Sequence, residues 1–184
     1  MARVVFDLGH HGLTGGRPGA THGDRREVAI VRRYTAEAAD QLEAAGVDID
    51  IAGQGRYSAR QEQAGRDGAQ VFIACHVNAG WREGYGPSVY HVADGLGGAK
   101  LAYYLASHLQ SIMGRCRTWP TNPDDWTKNA HALIYRAQAA RVAAVVYEPA
   151  FIDGPREQLA LLDDPHRLGT CLAAGILDYL EAVA

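Results

Sequence analysis

One short stretch constrains this chain more than any other: Val4-Val5-Phe6-Asp7-Leu8-Gly9-His10-His11-Gly12. An apolar, β-branched run stops abruptly at an acid, a glycine and two adjacent histidines. Such a run suits a strand covered on both faces, which is the environment of a parallel sheet. Residues 47–51 alternate apolar and acidic positions as a second strand, 71–76 form a third, 86–92 a fourth and 142–147 a last buried one. Between them, Val28, Val31, Ala38 and Leu42 recur at helical spacing over residues 27–45, with Gly46 as the stop. Residues 57–66 read as a second helix. Leu101, Tyr104, Leu105, His108, Leu109 and Ile112 mark a third, ended by Gly114, and Leu168, Leu172, Ile176 and Leu180 mark a C-terminal one. The Pro-, Asn- and Trp-rich residues 118–128 read as a loop, and 131–135 as a short extended piece. This alternation predicts a single α/β domain, a mainly parallel twisted sheet with helices on both faces.

Composition narrows the function. A formal net charge of −3 leaves no basic field for phosphates, so nucleic acid is not an expected partner. The 3 cysteines, Cys75, Cys116 and Cys171, form no C-x-x-C pattern and read as reduced thiols, with Cys75 packed in the core beside Val71 and Ile73. No apolar segment reaches the length of a signal peptide core or a membrane span, so no membrane partner is expected either.

In open α/β sheets, ligands bind beyond the carboxyl ends of the strands. His10 follows the first strand, His76 closes the third, Glu148 closes the last, and Glu27 begins a helix whose N-terminus faces the same edge. Two imidazoles and two carboxylates on one rim are a donor set for catalytic zinc, with a position left for water. Each also has a plainer reading. A histidine after a strand is more often a loop hydrogen-bonder, and Glu27 alone is a first-turn carboxylate favoured by the helix dipole. Glu148 is harder to explain without function, since an acid after Val-Val-Tyr pays a desolvation penalty. His11, His22, Asp24 and His131 remain rival ligands.

At this point the motifs resemble a known family, the zinc-dependent N-acetylmuramoyl-L-alanine amidases of cell-division amidases and phage lysins. Its opening Asp-x-Gly-His-Gly-Gly is similar to Asp7-Leu8-Gly9-His10-His11-Gly12. Its Gly-Ala and helix-starting Glu resemble Gly19-Ala20 and Glu27, its Ser-x-His-x-Asn resembles Cys75-His76-Val77-Asn78, and its Glu-x-Gly-Phe resembles Glu148-Pro149-Ala150-Phe151. His11, Cys75 and Ala150 depart from the pattern. The resemblance covers nearly the whole chain and implies a phosphorylase/hydrolase-like fold, Zn²⁺ held by His10, Glu27 and His76, and Glu148 as the catalytic carboxylate. It gives Arg60 a counterpart in the helix before the third strand, read here as structural. It also implies peptidoglycan as partner and residues 1–184 as one catalytic domain without a separate wall-binding domain.

The expected reaction is hydrolysis of the amide joining the lactyl group of N-acetylmuramic acid to L-alanine. Asn78, Trp81, Trp119, Trp126 and His131 are expected around the site, as contacts to glycan or stem peptide or as anchors of loop packing. The rival functions are a zinc peptidase or deacylase on another amide, and a non-catalytic peptidoglycan-binding protein. A dinucleotide enzyme is set aside by the lack of G-x-G-x-x-G, and a serine hydrolase by the lack of G-x-S-x-G. The expected setting is a phage-type lysin made in the cytoplasm and acting on the wall, or a trimmed domain of a secreted enzyme.

Overall fold

The N-terminal apolar run becomes a strand with neighbours on both sides. The computed structural model describes residues 1–10 and 19–184, so His11 and Gly12 lie outside the described residues. In chain order it contains β1 (Arg3–Leu8), β2 (Thr21–His22), β3 (Arg25–Arg26), α1 (Glu27–Ala44), β4 (Asp48–Ala52), α2 (Tyr57–Arg66), β5 (Val71–Cys75) and β6 (Ser88–Val92). These are followed by α3 (Leu96–Met113), β7 (Arg117–Thr121), α4 (Lys128–Ala139), β8 (Ala143–Glu148), α5 (Arg156–Leu162) and α6 (Pro165–Val183).

The main sheet runs β4-β1-β5-β8-β6-β7. Strands β4, β1, β5 and β8 are mutually parallel, while β6 lies antiparallel to β8 and parallel to β7. The sheet is therefore mainly parallel, as its continuous apolar strands require. Helices cover both faces: α1, α3 and α6 enclose one core with Phe6, Ile73 and Tyr147, and α2 and α4 enclose a second with Val5, Phe72 and Val146. Cys75 packs in the first core with Val71 and Ile73. Edge strand β4 keeps its acidic alternation, and the charges of Asp48 and Asp50 discourage pairing with another chain.

Two expectations are corrected. Residues 131–135 are not extended but lie within α4, where Ala130, Leu133, Ile134 and Ala137 recur at helical spacing against the second core. A window of five residues was too short to expose that period. Part of the expected loop 118–128 is strand β7, which tolerates Pro120 because it is an edge strand with one side unpaired. Helix α5 was not foreseen. No described helix is long and apolar enough to cross a membrane.

Candidate active site

Three of the expected ligands meet where β1 and β5 end. One ligand atom from each of His10, Glu27 and His76 can be chosen so that all lie within 4.8 Å of one another. His76 Nδ1 lies 3.0 Å from Glu27 Oε1, and His10 Nε2 lies 3.4 Å from Glu27 Oε2. Around a tetrahedral zinc ion with bonds near 2 Å, adjacent donor atoms sit about 3.3 Å apart. The nitrogen, oxygen, nitrogen set therefore fits the ion in both chemistry and spacing. His76 Nε2, the other ring nitrogen, is enclosed without a hydrogen-bond partner among the described residues.

The backbone holds Glu27 from two directions. Ala20 N–H donates to Oε2 at 2.7 Å and Val77 N–H donates to Oε1 at 3.1 Å. Burial alone would raise this carboxyl. The hydrogen bond and charge of His76, with the two amides, outweigh burial and hold it below the ordinary carboxylate range. Burial also works against charge on His76, yet Glu27 prevails and its pKa rises. At His10 burial wins over Glu27, and the pKa falls.

Close approach explains the two glycines beside the ligands. A Cβ on Gly9 would lie 2.6 Å from Cys75 O and 2.7 Å from the His76 ring, and one on Gly19, at φ +75°, would come within 2.8 Å of His10 Cδ2. Gly9→Ala should therefore push the His76 ring aside, costing about 1–3 kcal/mol of overpacking and lowering zinc affinity. Undiminished zinc affinity in that variant, measured by competition with a chelator, would show that the ring has room to spare.

His10 has a left-handed backbone, φ 60°, uncommon for a residue with a side chain and often found at functional sites. Its N–H donates to Tyr57 Oη at 2.9 Å. Tyr57 lies under the Arg60 guanidinium, 4.8 Å from ring centroid to Cζ, and Arg60 pairs with buried Asp7 through Nη1. Arg60 also donates to Leu8 O at 3.1 Å and to Gly55 O at 3.1 Å. The structural reading of Arg60 thus gains a function: it fixes the end of β1, from which His10 hangs.

Glu148 ends β8 at the same lip. It keeps partial exposure, but Oε2 is enclosed with no hydrogen-bond partner among the described residues. Burial pushes its pKa up to about 8, with the charge of His76 opposing and that of Glu27 adding. Next to it, a cleft of about 370 Å³ is lined by Asn78, Tyr90, Trp119, Trp126 and Phe151 among others. Trp119 and Trp126 meet edge to face at 5.5 Å, and Tyr90 meets Trp126 at 6.3 Å.

Of the expected contact residues, Asn78, Trp119 and Trp126 line this cleft, whereas Trp81 and His131 are not part of its lining. Trp81 anchors its loop, its indole N–H donating to Tyr85 O at 3.1 Å. His131 Nδ1 lies 3.1 Å from Thr121 Oγ1, and its ring stacks on Tyr135. The rival ligands His22 and Asp24 are exposed and stand apart from the cluster, and His11 lies outside the described residues. Sequence reasoning missed Tyr57 and the amides of Ala20 and Val77. A tyrosine at the start of a helix near the site was the one visible signal.

Comparison with known proteins gives a consistent answer. The profile described as N-acetylmuramoyl-L-alanine amidase (Amidase_3) matches residues 4–178. The fold is similar to the CwlD amidase from Clostridioides difficile, solved in complex with the GerS lipoprotein, at 18% identity and TM-score 0.79 over 99% of this chain and 100% of that one. It is also similar to the amidase AmiC2 of Nostoc punctiforme, at 23% identity and TM-score 0.74 over 98% and 97% of the two chains. The catalytic domain of the CD27L endolysin, which targets Clostridia difficile, aligns at 17% identity and TM-score 0.74 over 97% and 98%. No curated protein matches the chain significantly in sequence.

Proposed function

Because the chain belongs to the N-acetylmuramoyl-L-alanine amidase family, we propose that it hydrolyses the bond between the muramoyl lactyl carbonyl and L-alanine with Zn²⁺ bound by His10, Glu27 and His76. The observation that carries this reading is the meeting of three donor atoms, distant in sequence, within 4.8 Å of one another beside the enclosed carboxylate of Glu148. A bound zinc ion would supply Lewis acidity, polarising the amide carbonyl and easing the ionisation of water.

The chain's own groups do the rest. The Ala20 and Val77 amides keep Glu27 ionised and aimed, so that it would hold the ion together with His10 and His76. Glu148 takes a proton from the attacking water on a carboxylate oxygen. The same oxygen then hands it to the alanine nitrogen as the carbon–nitrogen bond breaks, leaving a lactyl carboxylate and a free amine. Residues 1–184 act as one catalytic domain, and peptidoglycan is the partner. The likeness to an endolysin catalytic domain supports a lysin-type role on the cell wall.

Purified protein should contain one zinc per chain by elemental analysis. His10→Ala and His76→Ala should each lose most of it while keeping the wild-type circular dichroism spectrum. Digested peptidoglycan should release stem peptides beginning at alanine, seen by mass spectrometry. Cleavage at other amide bonds would move the reading to a zinc peptidase, and binding without any cleavage would move it to a peptidoglycan-binding protein.

A further inference from the structure

Among the described residues the cleft beside Glu148 carries one charge, and the sheet register says where it stands. Across β8, β6 and β7, Glu148 pairs with Ser88 and Ser88 pairs with Arg117, so the three residues form one row. Residues in register share a face of the sheet, and two strand spacings separate the ends of the row by about 10 Å between Cα atoms. Of the described residues lining the cleft, Arg117 is the only charged one. Its guanidinium sits 5.7 Å over the Trp119 ring, and it makes no ion pair with any described carboxylate. Asp153 lies beyond this lining, at the Gly80 edge, with its carboxylate accepting from the Gly80 and Trp81 amides.

We propose that Arg117, backed by Trp119, binds a free carboxylate of the stem peptide within about three residues of the scissile amide, and so makes the enzyme selective for stems that are not amidated there. This rests on the amidase reading above. Charge assigns the occupant. In the uncut substrate the lactyl carboxyl is consumed in the amide and N-acetylated sugars are neutral, so the negative groups belong to the peptide. An extended chain advances about 3.3–3.6 Å per residue, and three residues therefore span the row from Glu148 to Arg117. A planar guanidinium 5.7 Å over an indole suits two-pronged pairing with a carboxylate.

The test is isothermal titration of the zinc-loaded protein with L-alanyl-γ-D-glutamyl-L-lysine, which cannot be turned over at the muramoyl bond. The peptide is used as the acid, amidated at its second residue only, and amidated at its C-terminus only. One of the two amides should bind about tenfold more weakly than the acid, roughly one charge-assisted hydrogen bond at an exposed site, and this names the carboxylate read. In Arg117→Gln that difference should vanish, and in Arg117→Lys it should return in part. Acid and amides binding alike to the wild type would overturn the proposal, as would Arg117→Gln weakening acid and amide equally. These outcomes are independent of the digest, whose failure to yield alanine-started stems would instead overturn the amidase reading.

Discussion

Glu148→Gln should lower turnover of muramoyl peptides on the order of a hundred- to ten-thousandfold, the range of a lost general acid-base group, while zinc content and the fold stay as in the wild type. Glutamine keeps the shape and removes only the ability to take and return a proton. The position is suited to both steps. An enclosed oxygen with no hydrogen-bond partner among the described residues, and a pKa lifted to about 8 chiefly by burial, describe a carboxylate with high proton affinity. Glu27 is one cause of that lift; a divalent charge held at Glu27 would oppose it and lower the Glu148 pKa. A base must be deprotonated to act, so wild-type activity should fall as pH drops through the Glu148 pKa. The residual activity of the glutamine variant should lack that limb. Turnover within a factor of two of wild type would remove Glu148 from the mechanism.

The parts of the site that were legible in the sequence are those tied to secondary-structure ends. His10 stands two residues and His76 one residue past apolar runs, and Glu27 opens a strongly periodic helix, so a sheet argument alone brings them to one lip. Glu148 was legible because an acid closing Val-Val-Tyr has no cheap structural excuse. What holds these side chains was not legible. The Ala20 and Val77 amides have no side-chain signature, and Tyr57 reaches His10 from 47 positions away through one hydroxyl. The fold shows the same division. Strands covered on both faces announce themselves, whereas β7 carries Trp119 and Pro120 at an edge where solvent and the free side relax the usual composition. The Arg117 row depends on the antiparallel register of β6 against β8, and a turn of direction within a mostly parallel sheet leaves no periodic trace.

Arg60→Met should destabilise the protein increasingly above pH 6, by up to about 1.4 kcal/mol per pH unit and so about 3 kcal/mol at pH 8, since it removes the partner of a buried carboxylate. Asp7 is fully buried, its Oδ2 has no hydrogen-bond partner among the described residues, and Arg60 supplies its ion pair. Burial raises the Asp7 pKa to about 6, and the charge and hydrogen bond of Arg60 hold it from rising further. The sign of the pH dependence follows. A carboxyl whose folded pKa exceeds its unfolded value favours folding when protonated, so its contribution is whole below about pH 4 and is lost as pH rises through 6, about 3 kcal/mol in all. In the methionine variant the Asp7 pKa climbs higher, so the loss runs on to higher pH. The gap between wild type and variant should therefore be small at pH 5 and large at pH 8, read from urea midpoints at the two pH values. Adding Asp7→Leu should restore most of the stability, because an apolar pair of similar volume replaces a buried ion pair at little cost. An equal gap at both pH values would mean that Arg60 acts through packing on Tyr57 rather than through its charge.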